Sequence, residues 1–116
     1  MTMASSQRNV DYILEQIAAA GAVSARRMFG EWGLYCDGRL VALVCDDRLL
    51  VKPTEAGRAF IGEVELAQPY PQAKPWYLVA EEQWDERDWL ARLIAITAAQ
   101  LRLPLPKPPR KRKPNK

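Results

Sequence analysis

The run RRMFGEWGLYCDGRLVALVCDDRLLVK, residues 26–52, decides the fold. Its apolar stretches are separated by Asp37-Gly38 and by Asp46-Asp47. Asp-Gly between apolar runs is a strong hairpin signal, because a two-residue type I′ turn needs positive φ at both central positions. The run therefore reads as an antiparallel meander. With Asp37-Gly38 as the turn, Cys36 pairs with Arg39, and an uninterrupted ladder places Trp32, Leu34 and Cys36 on one face with Val41, Leu43 and Cys45. The other face carries Glu31, Gly33 and Tyr35 with Leu40, Ala42 and Val44. The first set is the more uniformly apolar and is expected to face the core. Gly30 and Gly33 bracket Glu31-Trp32, which predicts a bulge or bend that delivers Trp32 either to the core or to an exposed binding loop.

Outward from this run, Val10, Ile13, Leu14 and Ile17 recur at helical spacing and predict a helix over residues 6–20. Ser5 or Ser6 is its expected N-cap, and Gly21 its left-handed terminator. A first strand is expected over residues 24–29 with Met28 buried, and a fourth over 48–52, ended by Pro53. Thr54 is placed to cap a short helix over 55–62, although Gly57 inside it costs about 1 kcal/mol relative to alanine. Residues 63–75, with Pro69, Pro71 and Pro75, read as an irregular loop, and Trp76 to Val79 as a fifth strand. Asp85 reads as the N-cap of a long helix reaching residue 102, with Trp89, Leu90, Leu93, Ile94, Thr97, Ala98 and Leu101 along one face. Pro104 stops it.

A chain of 116 residues with 48% hydrophobic and 27% charged residues has the length and composition of one folded domain with its own core. No apolar run approaches the ~20 residues a membrane span needs, and the polar start lacks the apolar segment of a secretory signal, so a cytoplasmic protein is expected. The net charge of +3 hides a strong asymmetry. Of the seventeen basic residues, Lys107, Arg110, Lys111, Arg112, Lys113 and Lys116 lie in the last fourteen positions; the remaining eleven face fourteen acidic ones in a mildly acidic body. Residues 1–102 are expected to form the domain, and 103–116, with five prolines among them, a basic disordered tail.

Histidine is absent, which removes the usual general base and the commonest zinc ligand. Cys36 and Cys45 fall at distant points of one hairpin, roughly 20 Å apart at ~3.3 Å per residue, and are expected to be buried, unlinked thiols. Asp37, Asp46 and Asp47 are explained by their turns without a metal. No catalytic constellation, cofactor site or metal site is expected, and the chain reads as a non-enzymatic protein.

With the meander laid out, Arg27-Met28-Phe29-Gly30, Gly33, Tyr35, Asp37-Gly38, Ala42-Leu43-Val44, Asp46-Asp47, Leu49 and Lys52 together resemble the N-terminal domain of the TfoX/Sxy family, bacterial regulators of transformation competence. Trp76-Tyr77 and the helix after Asp85 also sit where that domain has them, so the resemblance covers residues 8 to about 102. It implies an α+β fold of two layers, an antiparallel sheet of about five strands with the N- and C-terminal helices packed on one face. Two-domain relatives act as transcriptional co-regulators of competence genes with the cAMP receptor protein. This chain looks like a stand-alone form in which the basic tail takes the place of the second, helical domain.

The functional expectation is a non-enzymatic regulatory or adaptor domain, with transcription or competence co-regulation as its candidate role, that acts through protein contacts with weak nucleic-acid attraction through Lys107, Arg110, Lys111, Arg112, Lys113 and Lys116. Arg26, Arg27 and Trp32 are the candidate interaction surface on the folded body. The alternative is a protein-interaction or chaperone-like homodimer with no nucleic-acid role, and under neither reading is a membrane involved.

Overall fold

A computed structural model describes residues 7–28 and 30–102. Helix α1 (Gln7–Gln16) leads through a single 3-10 turn at Ala18–Ala20 into the meander β1 (Val23–Met28), β2 (Glu31–Cys36), β3 (Arg39–Cys45) and β4 (Arg48–Val51). Helix α2 (Glu55–Ile61), strands β5 (Glu65–Ala67) and β6 (Trp76–Val79), the one-turn helix α3 (Glu81–Trp84) and the long helix α4 (Arg87–Arg102) follow. The six strands form one antiparallel sheet in the order β1-β2-β3-β4-β6-β5. The fold is therefore α+β, as the sequence implies, with one strand more than the five expected. The addition is β5, in the stretch read as an irregular loop; it is three residues long and pairs only with β6.

Both hairpin turns have the conformation their residues predict. Asp37 and Gly38 sit at φ 52° and 83°, and Asp46 and Asp47 both at 56°, so each turn has positive φ at its two central residues. The register departs from the simple ladder one step beyond the first turn. Cys36 pairs with Arg39 and Tyr35 with Leu40, but Leu34 pairs with Ala42, leaving Val41 as an extra residue in β3. This β-bulge reverses the alternation of everything that follows it. Val41, Ala42 and Val44 belong to the main core with Trp32, Leu34 and Cys36, whereas Leu43 and Cys45 turn to the opposite face with Leu50. The expected assignment of Leu43 and Cys45 to the core face, and of Ala42 and Val44 to the other, is corrected accordingly.

The main core lies between one face of the sheet and the helices. Val10, Ile13 and Ile17 from the N-terminal segment and Leu90, Leu93, Ile94 and Ala98 from α4 pack against Leu34, Val41, Val44, Leu49 and Val51. At ~25 cal/mol per Å² of apolar surface removed from water, such side chains supply the main favourable term of the fold. Three polar side chains drawn into this layer find backbone partners: Gln16 Nε2 donates to the Trp84 carbonyl (2.8 Å), Thr97 Oγ1 to the Leu93 carbonyl (2.8 Å) and Trp84 Nε1 to the Val79 carbonyl (3.3 Å).

Three terminations differ from expectation. The first helix closes at Gln16 instead of 20, and its expected caps Ser5 and Ser6 lie outside the described residues. Gly21 has positive φ, but at φ 152° and ψ −157° it is extended and not left-handed. A Cβ there would lie 2.9 Å from both Asp37 carboxylate oxygens, so glycine is required as much by close approach as by conformation. Asp85 does not cap the long helix: it closes α3, and the first α4 hydrogen bond runs from Leu90 N–H to the Glu86 carbonyl (2.9 Å). The α2 cap does form, with Thr54 Oγ1 accepting from Gly57 N–H at 2.9 Å. Gly57 itself is buried, and a Cβ there would lie 2.8 Å from that Oγ1, which explains a glycine inside a helix.

Candidate functional site

Three surfaces bear on function. The first holds the residues singled out on the body, and β1 separates them, because consecutive side chains of a strand point to opposite faces. Arg26 stacks its guanidinium over the Tyr35 ring at 5.1 Å on the helix-free face. Arg27 lies over the Trp32 ring at 5.0 Å on the core side. Trp32 is 9% exposed and belongs to the main core, so its ring forms a base under Arg27. Its Nε1 is buried without a hydrogen-bond partner. The two arginines are thus held in place by cation–π contact on opposite sides of an edge strand. The basic residues Lys107, Arg110, Lys111, Arg112, Lys113 and Lys116 lie outside the described residues.

The second surface is an open, polar cleft where α1 meets the α3–α4 junction, lined by Tyr12, Glu15, Gln16, Asp85, Arg87 and Trp89 among others. The Tyr12 hydroxyl donates to the Asp85 carboxylate. This bond, helped by partial burial and by the nearby negative charge, raises the Tyr12 phenol above its ordinary value. Arg87 Nε donates to Gln16 Oε1 at 3.4 Å, which links the helices across the cleft. The side chains here bind one another, and the arrangement explains why Asp85 is unavailable as a cap: a tertiary partner outbids the local one.

The third surface was missed in the sequence. Because the bulge turns Leu43 and Cys45 outward, the helix-free face carries an apolar cluster of its own, with Leu50, Met28, Leu40, Ala67, Trp76 and Leu78. Among the described residues no helix covers it. Instead the segment after β5 folds over one end. Arg48 Nη2 donates to the Gln68 carbonyl (3.3 Å), Gln68 Nε2 donates to the Ala73 carbonyl (2.8 Å), and Gln72 takes a φ of 73°. Pro69 and Tyr70 are thereby held against the sheet and complete a cavity of about 430 Å³ with Met28, Glu31, Leu40, Leu43, Cys45 and Trp76. The signal that could have found this face is the unbroken apolar run Leu40 to Cys45, which supplies more apolar residues than one face can use.

Both cysteines are buried and unlinked, and the bulge puts them on opposite faces. Cys36 Sγ donates to the Ala20 carbonyl at 3.7 Å. Burial, together with Glu31 and against the pull of Arg48, pushes the Cys45 thiol up to about 11, so it is protonated at neutral pH. Among the described residues, no three His, Cys, Asp or Glu side chains are grouped to hold a metal ion, and no helix is long and apolar enough to cross a membrane.

Comparison with known proteins relates the chain to a family. The profile of the TfoX N-terminal domain matches residues 15–101. A protein of Spirochaeta aurantia, described as an uncharacterized 12.7 kDa protein in the trpE 5′ region, is 41% identical over 106 residues, covering 91% of this chain and 90% of its own length.

Proposed function

This chain belongs to the TfoX N-terminal domain family, and from that membership we propose that it is a regulatory domain acting in the cytoplasm on competence-type gene expression, through contact with a protein partner and without catalysis. The family match is the observation that carries the reading. The folded body supports it by what its surfaces offer: two arginines presented from the β1 edge, a polar cleft whose groups are bonded to one another, and an apolar cavity that holds one carboxylate. General acid–base or nucleophilic chemistry needs a base aligned on a nucleophile. The Tyr12–Asp85 pair has the polar groups, but a raised phenol is a poor acid and a poor nucleophile near neutral pH.

The basic residues at 107–116 add attraction to nucleic acid in this reading. Lysines and arginines that neutralise phosphates release condensed counterions, which gives binding without sequence preference. Partner contact then supplies the selectivity. The test is a comparison of transcript levels in the source cells with the gene present, deleted, and restored. Regulation predicts that a discrete set of transcripts changes on deletion and recovers with the intact chain. An unchanged transcript profile, with a metabolite accumulating in its place, would move the protein to another class.

A further inference from the structure

The edge strand β1 carries an outer row of backbone hydrogen-bonding groups. It lies at one end of the sheet and pairs only with β2, in unbroken register from Val23↔Cys36 to Met28↔Glu31. One step before the strand, Asp37 N–H donates to the Ala22 carbonyl at 2.8 Å. Inward and outward bonding alternate along an antiparallel strand, so Ser24, Arg26 and Met28 bond to β2, while Val23, Ala25 and Arg27 turn their N–H and C=O groups away from the sheet. Among the described residues, no other backbone group bonds to that outer row. The edge at the other end, β5, is blunted by its length of three residues, whereas β1 has six, with neither a proline nor a bulge.

Charge distinguishes this edge. Arg26 and Arg27 are both exposed, on opposite faces, and each is held over an aromatic ring instead of a carboxylate. On the core side Val23 and Ala25 precede Arg27, and on the helix-free face Ser24 precedes Arg26.

We propose that β1 is a docking edge for an extended segment of a partner protein that carries two consecutive glutamates, one for each face of the sheet. This docking mode deepens the regulatory reading and takes its protein partner from it. Main-chain bonds to Val23, Ala25 and Arg27 supply attachment, and the side chains opposite them supply selection. In an antiparallel pair, the partner residues opposite Arg27 and Arg26 are consecutive and project to opposite faces, as the arginines do. The next three oppose Ala25, Ser24 and Val23, and therefore read apolar, polar, apolar. The rings of Trp32 and Tyr35 draw both guanidinium groups towards β2, so glutamate reaches them better than the shorter aspartate. A second copy of β1 fits poorly. Matching the outward rows with the fullest overlap sets Ala25 opposite itself and makes the two Arg26 side chains diagonal neighbours on one face, where like charges repel. Residues 1–6 and 103–116 contain no acidic residue, so neither segment offers the complement.

The experiment uses the full chain labelled with nitrogen-15 and hexapeptides blocked at both ends. SEEVTV places its glutamates on both faces, EVESVT has the same composition with both on one face, and SKKVTV reverses the charge. Amide correlation spectra through each titration give the affinity, and hydrogen–deuterium exchange at saturation gives the bonding pattern. SEEVTV is expected to bind saturably, with shifts centred on residues 23–28. Exchange should slow at least about tenfold at Val23, Ala25 and Arg27, and not at Ser24, Arg26 and Met28, which already bond to β2. EVESVT should bind about fivefold more weakly, and SKKVTV should not saturate at millimolar concentration. Arg26→Glu combined with Arg27→Glu should invert the preference to SKKVTV, a gain that an unfolded chain cannot show. Ala25→Pro removes one outward N–H at an edge position, where proline is tolerated, and should abolish SEEVTV binding with both arginines in place. Equal binding of SEEVTV and EVESVT, unaltered exchange at the three outward amides, or native affinity in Ala25→Pro would each overturn the assignment. So would slowed exchange at those amides in concentrated chain without peptide, which would mean that a second copy occupies the edge, or a short DNA duplex that binds β1 more tightly than SEEVTV. Failure of the peptide beside responsive transcripts refutes the docking edge alone, and SEEVTV binding beside an unchanged transcript profile refutes the regulatory role alone.

Discussion

Gly21→Ala is expected to destabilise the domain by about 2–4 kcal/mol. Gly21 is extended with φ 152°, a region that L-residues enter at a cost of roughly 1–3 kcal/mol. The new Cβ would also lie 2.9 Å from both Asp37 carboxylate oxygens and 3.1 Å from Cys36 Sγ. Asp37 cannot simply retreat. Its carboxylate accepts from Ala22 N–H at 2.9 Å, and its own N–H donates to the Ala22 carbonyl at 2.8 Å, a reciprocal clasp that ties the first hairpin turn to the start of β1. Loosening it forfeits a hydrogen bond worth about 0.5–1.5 kcal/mol, against an unfolded-state gain of about 0.4–1 kcal/mol for alanine over glycine. For a domain of this size the sum corresponds to a fall in Tm of roughly 10–25 °C. Urea denaturation followed by tryptophan fluorescence reads it, with Gly38→Ala as the comparison. Gly38 also has positive φ, 83°, but nothing lies within 4 Å of its would-be Cβ, so it isolates the conformational part at about 1–2 kcal/mol. If Gly21→Ala and Gly38→Ala cost the same, the Asp37 contact contributes nothing and the clasp is not a stabilising feature.

Two further outcomes follow from the core and from the helix-free face. Gly57→Ala is expected to destabilise by about 1–2 kcal/mol despite a propensity gain of about 1 kcal/mol, because its Cβ would lie 2.8 Å from Thr54 Oγ1 and displace that cap; equilibrium denaturation that finds a more stable variant refutes this. Cys45 is expected to react with iodoacetamide at pH 8 about a hundredfold more slowly than an ordinary thiol, its rate rising about tenfold per pH unit towards pH 11, since the thiolate is the reactive form and a raised value keeps it scarce. Mass spectrometry of the alkylated peptide measures the rate, and ordinary thiol reactivity at pH 8 would show that Cys45 is not held in the wall as described.

The parts of the fold that were legible from the residues are those set by local chemistry. Asp37-Gly38 and Asp46-Asp47 demanded positive φ and have it, and Thr54 caps α2 as its type predicts. The bulge was not legible, because Leu40-Val41-Ala42-Leu43-Val44-Cys45 is apolar throughout, and alternation carries no information where every residue suits the core. Only pairing with β2 and β4 reveals that Val41 is the extra residue, and the helix-free cavity follows from that one insertion. Asp85 misled in another way, since a good capping residue was taken by Tyr12, 73 positions away in sequence. β5 was hidden because three residues, two of them exposed, depend wholly on β6 for their order. Of the surface expected from Arg26, Arg27 and Trp32, the residues are where an edge strand puts them, but on two faces instead of one.

The most direct test of the nucleic-acid part of the regulatory reading is the salt dependence of duplex DNA binding by the intact chain and by a chain ending at residue 102. The core residues all lie within 10–98, so the shorter chain retains the buried layer of the fold. With up to six basic side chains neutralising phosphates, log affinity should fall with log salt at a slope of about −5, close to a thousandfold loss between about 50 and about 200 mM. The shorter chain should show a slope near zero and binding at least about a hundredfold weaker at the low-salt end. Equal slopes and affinities for the two chains would contradict a nucleic-acid role for residues 103–116 and leave the folded body to act through protein contact alone.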